Sequence, residues 1–279
     1  MRRVLIPTDF SENANNALEF AVELYKYEEC TFYLLNTIYD SDNVLHSSIY
    51  EVYKERSLKE LNAIVAKMKE KHPETPLYFE KISTVNLLNE EIEAIVKEKH
   101  IDIIIMGTKG ASGVQEFLFG SYTVSAMKVA ECPLLAIPEG FTFKSPKDIV
   151  LATDYDVDFE NYHMEVLKGI ATKHKAKLHA LHVKTDAKPM TFAQQQSKKA
   201  LEQNFEGMQM SFEEVDDASV QKAIFSYHKI HDIGLLVMIK NKHSFWERLF
   251  SGSVIDSIGY KITFPFLVLP SKSVIKETA

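Results

Sequence analysis

The chain has 279 residues, of which 46% are hydrophobic and 25% charged, a globular composition whose length favours two domains of modest size over one large one. A formal charge of −7 argues against general nucleic-acid binding, and two cysteines, Cys30 and Cys132, are too few for a disulfide framework. The start Met1-Arg2-Arg3-Val4-Leu5-Ile6-Pro7 turns polar at once, and no apolar run is long enough to span a bilayer, so a cytoplasmic protein with no membrane partner is expected.

Val4-Leu5-Ile6 is a short all-apolar run ended by Pro7-Thr8-Asp9, the pattern of a fully buried parallel strand. Ser11 is placed to cap a helix in which Ala14, Ala17, Leu18, Ala21, Val22 and Tyr25 recur at spacings of three and four. Phe32 to Leu35 reads as a second strand reaching Asn36-Thr37-Ile38. Polar sequence from Ser41 gives way to a long helix marked by Leu58, Leu61, Ile64, Val65 and Met68 and closed by His72-Pro73. Leu77 to Ile82 is a third strand, Glu90 to Lys97 a short helix, Ile101 to Met106 a fourth strand, Thr123 to Ala130 a helix and Leu134 to Pro138 a fifth strand. Alternating strands and helices predict an α/β fold with a parallel sheet covered on both faces.

The pattern then restarts. Ile149 to Asp154 echoes Val4 to Asp9, Leu178 to Val183 the second strand, Leu235 to Met238 the fourth and Phe266 to Pro270 the fifth. Gly120-Ser121 maps onto Gly252-Ser253 and Pro138 onto Pro270, both at an offset of 132, whereas Asp9 maps onto Asp154 at 145. The first copy therefore carries 13 extra residues in its middle. The domains expected are residues 1–138 and 147–279, joined by a Gly- and Pro-containing linker at 139–146. Two copies are too few for a solenoid, and an intramolecular pseudo-dimer is the natural arrangement, with a further homodimer open.

The chemistry concentrates where the fourth strand ends. Met106-Gly107-Thr108-Lys109-Gly110-Ala111-Ser112-Gly113, continuing to Phe119-Gly120-Ser121-Tyr122-Thr123, joins a buried strand to a helix start through a glycine-rich loop. Such a loop cradles phosphate, because glycines let the backbone approach the anion and the first amides of the helix point at it.

These residues resemble the universal stress protein family of α/β nucleotide-binding-like domains. Pro7-Thr8-Asp9-Phe10-Ser11 looks like the family's first strand end, and Glu131 to Pro138 is similar to its closing strand. Gly107-x-x-Gly110, nine residues, then Gly120-Ser121 matches its ATP-binding signature. The resemblance implies two tandem doubly wound, parallel-sheet domains, Rossmann-like and adenine nucleotide alpha hydrolase-like. It further implies that the first and fourth strands are neighbours at a switch point, where ligands bind in such sheets. There Asp9 would accept a hydrogen bond from adenine or ribose, and Thr37 would offer backbone groups to the base. Gly107 and Gly110 would wrap the polyphosphate, Lys109 would add charge, and Gly120, Ser121 and Thr123 would present a helix N-terminus. The candidate nucleotide-binding set is Pro7, Thr8, Asp9, Thr37, Met106, Gly107, Lys109, Gly110, Gly120, Ser121, Tyr122 and Thr123.

In the second copy Gly107 becomes Ile239, Gly110 becomes Lys242 and Gly113 becomes Phe245, while Thr153, Asp154 and Gly252-Ser253 survive. Side chains stand where backbone should meet phosphate, and Phe245-Trp246 adds bulk to the cleft. This copy reads as a degenerate partner; the competing reading is a new anion site made by Lys240, Lys242 and His243.

The expected function is thus ATP binding by the first copy, in a stress-response or signalling protein acting on an unknown protein partner. No Walker-type Gly-Lys-Ser/Thr pair is present to hold Mg²⁺, so a dedicated metal ligand is not expected. No catalytic base is evident, and enzymatic activity reads as slow ATP hydrolysis at most. A weak ATP-hydrolysing enzyme and a nucleotide-free dimerisation module are the alternatives. His179 and His182 lie three apart on a strand, face opposite sides and cannot chelate together; His182 sits where Asn36 does, as a satisfied structural histidine. His228 and His231 stand near a helix end without a third metal ligand, Cys132 reads as a small hydrophobe, and Cys30 has no neighbouring cation to activate it.

Overall fold

A computed structural model describes residues 1–38, 47–108, 120–184, 188–217, 219–241 and 263–272. Among them the chain separates into two compact units, with the boundary between Phe143 and Lys144.

The first unit runs β1 (Arg2–Pro7), α1 (Glu12–Tyr25), β2 (Cys30–Ile38), α2 (Ser47–Lys71), β3 (Leu77–Val85), α3 (Leu88–Lys99), β4 (Ile103–Gly107), α4 (Ser121–Val129) and β5 (Leu134–Ile137). Its strands are all parallel, in the order β3-β2-β1-β4-β5. The apolar run Val4-Leu5-Ile6 is fully buried because helices cover both faces of the central strand. Ser11 caps α1 by accepting the Ala14 amide at 3.2 Å, and the apolar stripe from Ala14 to Tyr25 is buried, packing α1 onto β4 and β5. In α3, acidic Glu90 and Glu91 open the helix and Lys97 and Lys99 close it, matching the sign of the helix dipole at each end.

The second unit repeats this plan with β6 (Asp148–Ala152), α5 (Met164–His174), β7 (Lys177–Lys184), α6 (Phe192–Asn204), β8 (Met210–Asp216), α7 (Val220–His231), β9 (Leu235–Ile239) and β10 (Phe266–Leu269). Its parallel order is β10-β9-β6-β7-β8. The register reproduces the duplication. Val4 pairs with Ile103, and their counterparts Ile149 and Leu235 pair as well; Ile104 pairs with Leu134, as Leu236 does with Phe266.

The same register locates the extra residues of the first copy. The offset between copies is 146 at Phe32 and Leu178 but 131 at Phe79 and Met210, so the excess lies between the second and third strands. It is chiefly a longer crossover helix, 25 residues in α2 against 13 in α6. Sequence periodicity places the start of α2 too late. The helix begins at Ser47, and its early turns expose Val52 and Tyr53, so no apolar stripe announces them. Similarly β3 continues past Ile82 to Val85, because pairing with β2 persists through Ile38 after the apolar alternation is lost.

Candidate functional site

At the carboxyl end of β1 the chain makes a compact, hydrogen-bonded turn. The Thr8 amide donates to the Leu35 carbonyl at 2.8 Å, a backbone link to β2 just beyond the end of β1. The Thr8 hydroxyl then accepts the Phe10 amide at 3.1 Å, and Asp9 Oδ1 accepts the Ser11 amide at 3.1 Å. Phe10 is held in the left-handed region at φ 66°, which a non-glycine residue adopts only where its surroundings compel it. The result leads directly into the capped α1 and leaves Asp9 exposed to solvent.

On the other side of β1, the end of β4 is fastened to the start of α4. The Gly120 amide donates to the Thr108 carbonyl at 2.5 Å, and the Thr123 hydroxyl donates to the Gly107 carbonyl at 2.8 Å. Thr123 is only 2% exposed, so its hydroxyl braces the strand end instead of facing a ligand, and only its backbone remains a candidate contact. Gly107 is a close-approach glycine of a different kind from the one expected: a Cβ there would lie 2.5 Å from Asn13 Nδ2 and 3.0 Å from the Asn13 carbonyl. The missing side chain lets α1 seat against the end of β4.

The N-terminus of α4 differs from that of α1. Gly120 caps it without a side chain, and its first turn holds no acidic residue. By contrast α1 uses the Ser11 hydroxyl and begins with Glu12. Ser121 and Tyr122 are exposed, and Tyr122 retains 60% of its surface. Pro7 and Met106 are buried at their strand ends, and Thr37 lies half-buried near the end of β2, paired with Thr84. The candidate residues Lys109 and Gly110 lie outside the described residues, as do Lys242, His243, Phe245, Trp246, Gly252 and Ser253 of the second copy.

The second unit builds the same turn and bonds its carbonyls to side chains from α6 and from beyond β9. The Thr153 amide donates to Leu181 at 3.0 Å, its hydroxyl accepts the Tyr155 amide at 3.0 Å, and Asp154 Oδ1 accepts the Asp156 amide at 3.1 Å. Tyr155 repeats the left-handed φ at 58°, yet is only 1% exposed. Gln194 Nε2, from α6, donates to the Asp154 carbonyl at 3.0 Å. The Ser197 hydroxyl donates to the Val157 carbonyl, and Asn241 Nδ2 donates to the Asp156 carbonyl at 3.2 Å. Nothing in the sequence pattern announced these bonds, because each joins segments that are distant along the chain.

The histidines resolve into separate roles. His182 Nδ1 lies 3.0 Å from the Thr153 carbonyl, the contact that Asn36 Nδ2 makes to Thr8 at 2.8 Å in the first unit. His179 is buried between two carboxylates, Nε2 2.8 Å from Asp148 Oδ1 and Nδ1 3.0 Å from Glu213 Oε1, with the Ser211 and Tyr227 hydroxyls also 3.0 Å from Nδ1. Burial raises the pKa of Glu213, but hydrogen bonds from His179, Tyr227 and Ser211 outweigh it and hold the carboxyl below its ordinary value. A depressed folded-state pKa contributes stability that is fully present above the unfolded value and is lost as pH falls through the folded one. Urea denaturation should therefore show the second unit weakening between about pH 5 and pH 3, with a shallower acid dependence in Glu213→Gln.

His228 Nδ1 accepts the Ile233 amide at 3.0 Å at the end of α7, and burial lowers its pKa. Both cysteines are buried. Among the described residues no three His, Cys, Asp or Glu side chains converge on a possible metal position, and no helix is long and apolar enough to cross a membrane.

Each unit is a doubly wound α/β domain whose chain crosses from one side of the first strand to the other, the switch point at whose strand carboxyl ends this class binds ligands. Residues 1–138 match the Universal stress protein family, and this half of the chain belongs to it. Curated relatives include Universal stress protein MJ0577 of Methanocaldococcus jannaschii, 26% identical over 153 residues that cover 49% of this chain and 94% of that protein. Universal stress protein YxiE of Bacillus subtilis is 27% identical over 149 residues, covering 48% and 97%. A universal stress protein from Archaeoglobus fulgidus shares the fold over both units, with a TM-score of 0.67 at 18% identity and 95% of each chain covered.

Proposed function

We propose that the first half of the chain binds ATP at the crevice between the Asp9 turn and the α4 N-terminus, and that the second half is a degenerate partner that binds none. The observation that carries this reading is the contrast between two copies of one turn. In the first, Asp9 is exposed beside a helix start that has neither a capping side chain nor an acid. In the second, Gln194, Ser197 and Asn241 are hydrogen-bonded across the equivalent turn.

The residues present fit an adenine nucleotide. Amides of Ser121, Tyr122 and Thr123 at the uncapped helix start would take phosphate oxygens, favoured by the helix dipole. The Asp9 carboxylate accepts hydrogen bonds and suits ribose hydroxyls or an adenine amino group. Thr37 supplies backbone groups for the base edge, while Lys109 and Gly110 complete the phosphate loop. Binding would serve signalling to a protein partner, with at most slow hydrolysis.

Isothermal titration of the purified chain with ATP should give one site per chain. Mass spectrometry of small molecules released on denaturation should find an adenine nucleotide. Two equivalent sites would overturn the assignment of the second half, and no binding would overturn the assignment of the first.

A further inference from the structure

The turn that carries Asp9 is held from below by side chains that belong to neither β1 nor the glycine loop. β1 ends at Pro7, and the left-handed Phe10 then takes the chain away from the sheet. The Thr8 carbonyl is instead bonded by a side chain, Asn36 Nδ2 at 2.8 Å, from the seventh residue of β2. Asn36 in turn is fixed by α2, because the Ser57 hydroxyl donates to Asn36 Oδ1 at 2.8 Å. Ser57 is only 4% exposed and lies in the buried stripe of α2 that continues to Leu61 and Met68. A buried hydroxyl in an otherwise apolar stripe is costly unless it is bonded, and here its bond goes to the residue that sets the Thr8–Asp9 peptide.

The second unit supplies an internal comparison. His182 replaces Asn36 and makes the same contact to the Thr153 carbonyl. There α6, the counterpart of α2, skips the relay and bonds the turn directly through Gln194 and Ser197. In both copies, then, the helix between the second and third strands grips the turn after the first strand. In the first copy the grip runs through Ser57 and Asn36, and Asp9 is exposed.

We propose that Asn36 and Ser57 are positioning residues of the first-half nucleotide site, forming a relay through which α2 and the Asp9 turn hold one another in place. The inference rests on the nucleotide reading above. Because linkage is reciprocal, a nucleotide that stabilises the turn also stabilises the seating of α2 through the same two hydrogen bonds.

The test uses the full chain carrying Asn36→Leu, Asn36→His, Ser57→Ala or both Asn36→Leu and Ser57→Ala. It is read by ATP titration and by amide hydrogen exchange with and without ATP. Asn36→Leu should weaken ATP binding by about tenfold and speed exchange at the Phe10 and Ser11 amides. Ser57→Ala should weaken binding about threefold to tenfold, since it removes only the outer bond. Asn36→His should restore affinity to near that of the natural chain, since His182 already makes this bond in the second unit. The double variant removes the stranded hydroxyl; it should regain denaturation midpoint relative to Asn36→Leu while remaining as weak for ATP, which separates positioning from stability. ATP should slow exchange around Ser57 in the natural chain and not in Asn36→Leu.

Natural affinity in Asn36→Leu, or no rescue by Asn36→His, overturns the proposal. If the natural chain binds no ATP, it is the nucleotide reading that fails, and the exchange of the Phe10 and Ser11 amides still decides the relay. Acceleration in Asn36→Leu sustains the relay, and unchanged exchange overturns it.

Discussion

Replacing Asp9 with alanine should weaken ATP binding by about tenfold or more, whereas Asp154→Ala should leave it unchanged. Both carboxylates brace equivalent turns, since Asp9 accepts the Ser11 amide and Asp154 the Asp156 amide, so either substitution removes a similar internal hydrogen bond. They differ in exposure and surroundings: Asp9 is exposed, whereas Asp154 is half-buried and its carbonyl is bonded by Gln194 of α6. Asp9→Asn separates the two jobs of the first carboxylate. Its amide oxygen still accepts the Ser11 amide, so the turn survives, and any loss of affinity then reports the missing charge. Titration calorimetry on the three variants gives the answer. An Asp154→Ala variant as impaired as Asp9→Ala would mean that the assignment of the site to the first half is wrong.

Gly107→Ala should destabilise the first unit by about 1–3 kcal/mol, the usual cost of overpacking a close contact. The added methyl would lie 2.5 Å from Asn13 Nδ2, 2.8 Å from Asn13 Cγ and 3.0 Å from the Asn13 carbonyl. Asn13 is itself buried in the first turn of α1, so relief requires moving that helix relative to β4. The shift would also disturb the Asp9 turn, and ATP affinity should fall with stability. Combining it with Asn13→Ala removes two of the three close contacts and should recover part of the loss. Gly140→Ala is the reference: its φ of +69° strains any side chain, but no atom lies within 4 Å, so its cost should be limited to about 1–2 kcal/mol of backbone strain. Urea denaturation measures all three. A Gly107→Ala chain as stable as the natural one would show that α1 is not seated on the strand end.

Much of the fold was legible because short apolar runs and three-and-four spacings depend on local burial alone. Val4 to Ile6, the stripe from Ala14 to Tyr25, and Leu134 to Ile137 are buried as their patterns predict. The duplication was legible for the same reason, and the strand register of both units follows its offsets. The early turns of α2 were not, since an exposed helix face carries no periodic signal.

The candidate site was legible only in outline. Spacing pointed to Asp9, Gly107 and Gly120, because close backbone approach demands glycine and a strand-end turn favours Asp. It also picked out Gly107 for phosphate, and in the fold the direction a Cβ would take there is filled by Asn13. It offered Thr123 as a ligand group, although that hydroxyl bonds the Gly107 carbonyl. Spacing marks Asn36 only as a strand end and does not single out Ser57.

The amino-acid sequence by itself determined the strand and helix order, the repetition of the unit and the erosion of its glycines at Ile239 and Lys242. Those properties live in runs of neighbouring residues, where side-chain size and polarity act directly on local structure. Only the tertiary structure decided that Asn36 reaches Thr8, that α2 reaches Asn36, and that α6 reaches over Asp154. Such bonds join residues 20 or more positions apart, and a polar side chain has no local preference that reveals which distant carbonyl it will meet.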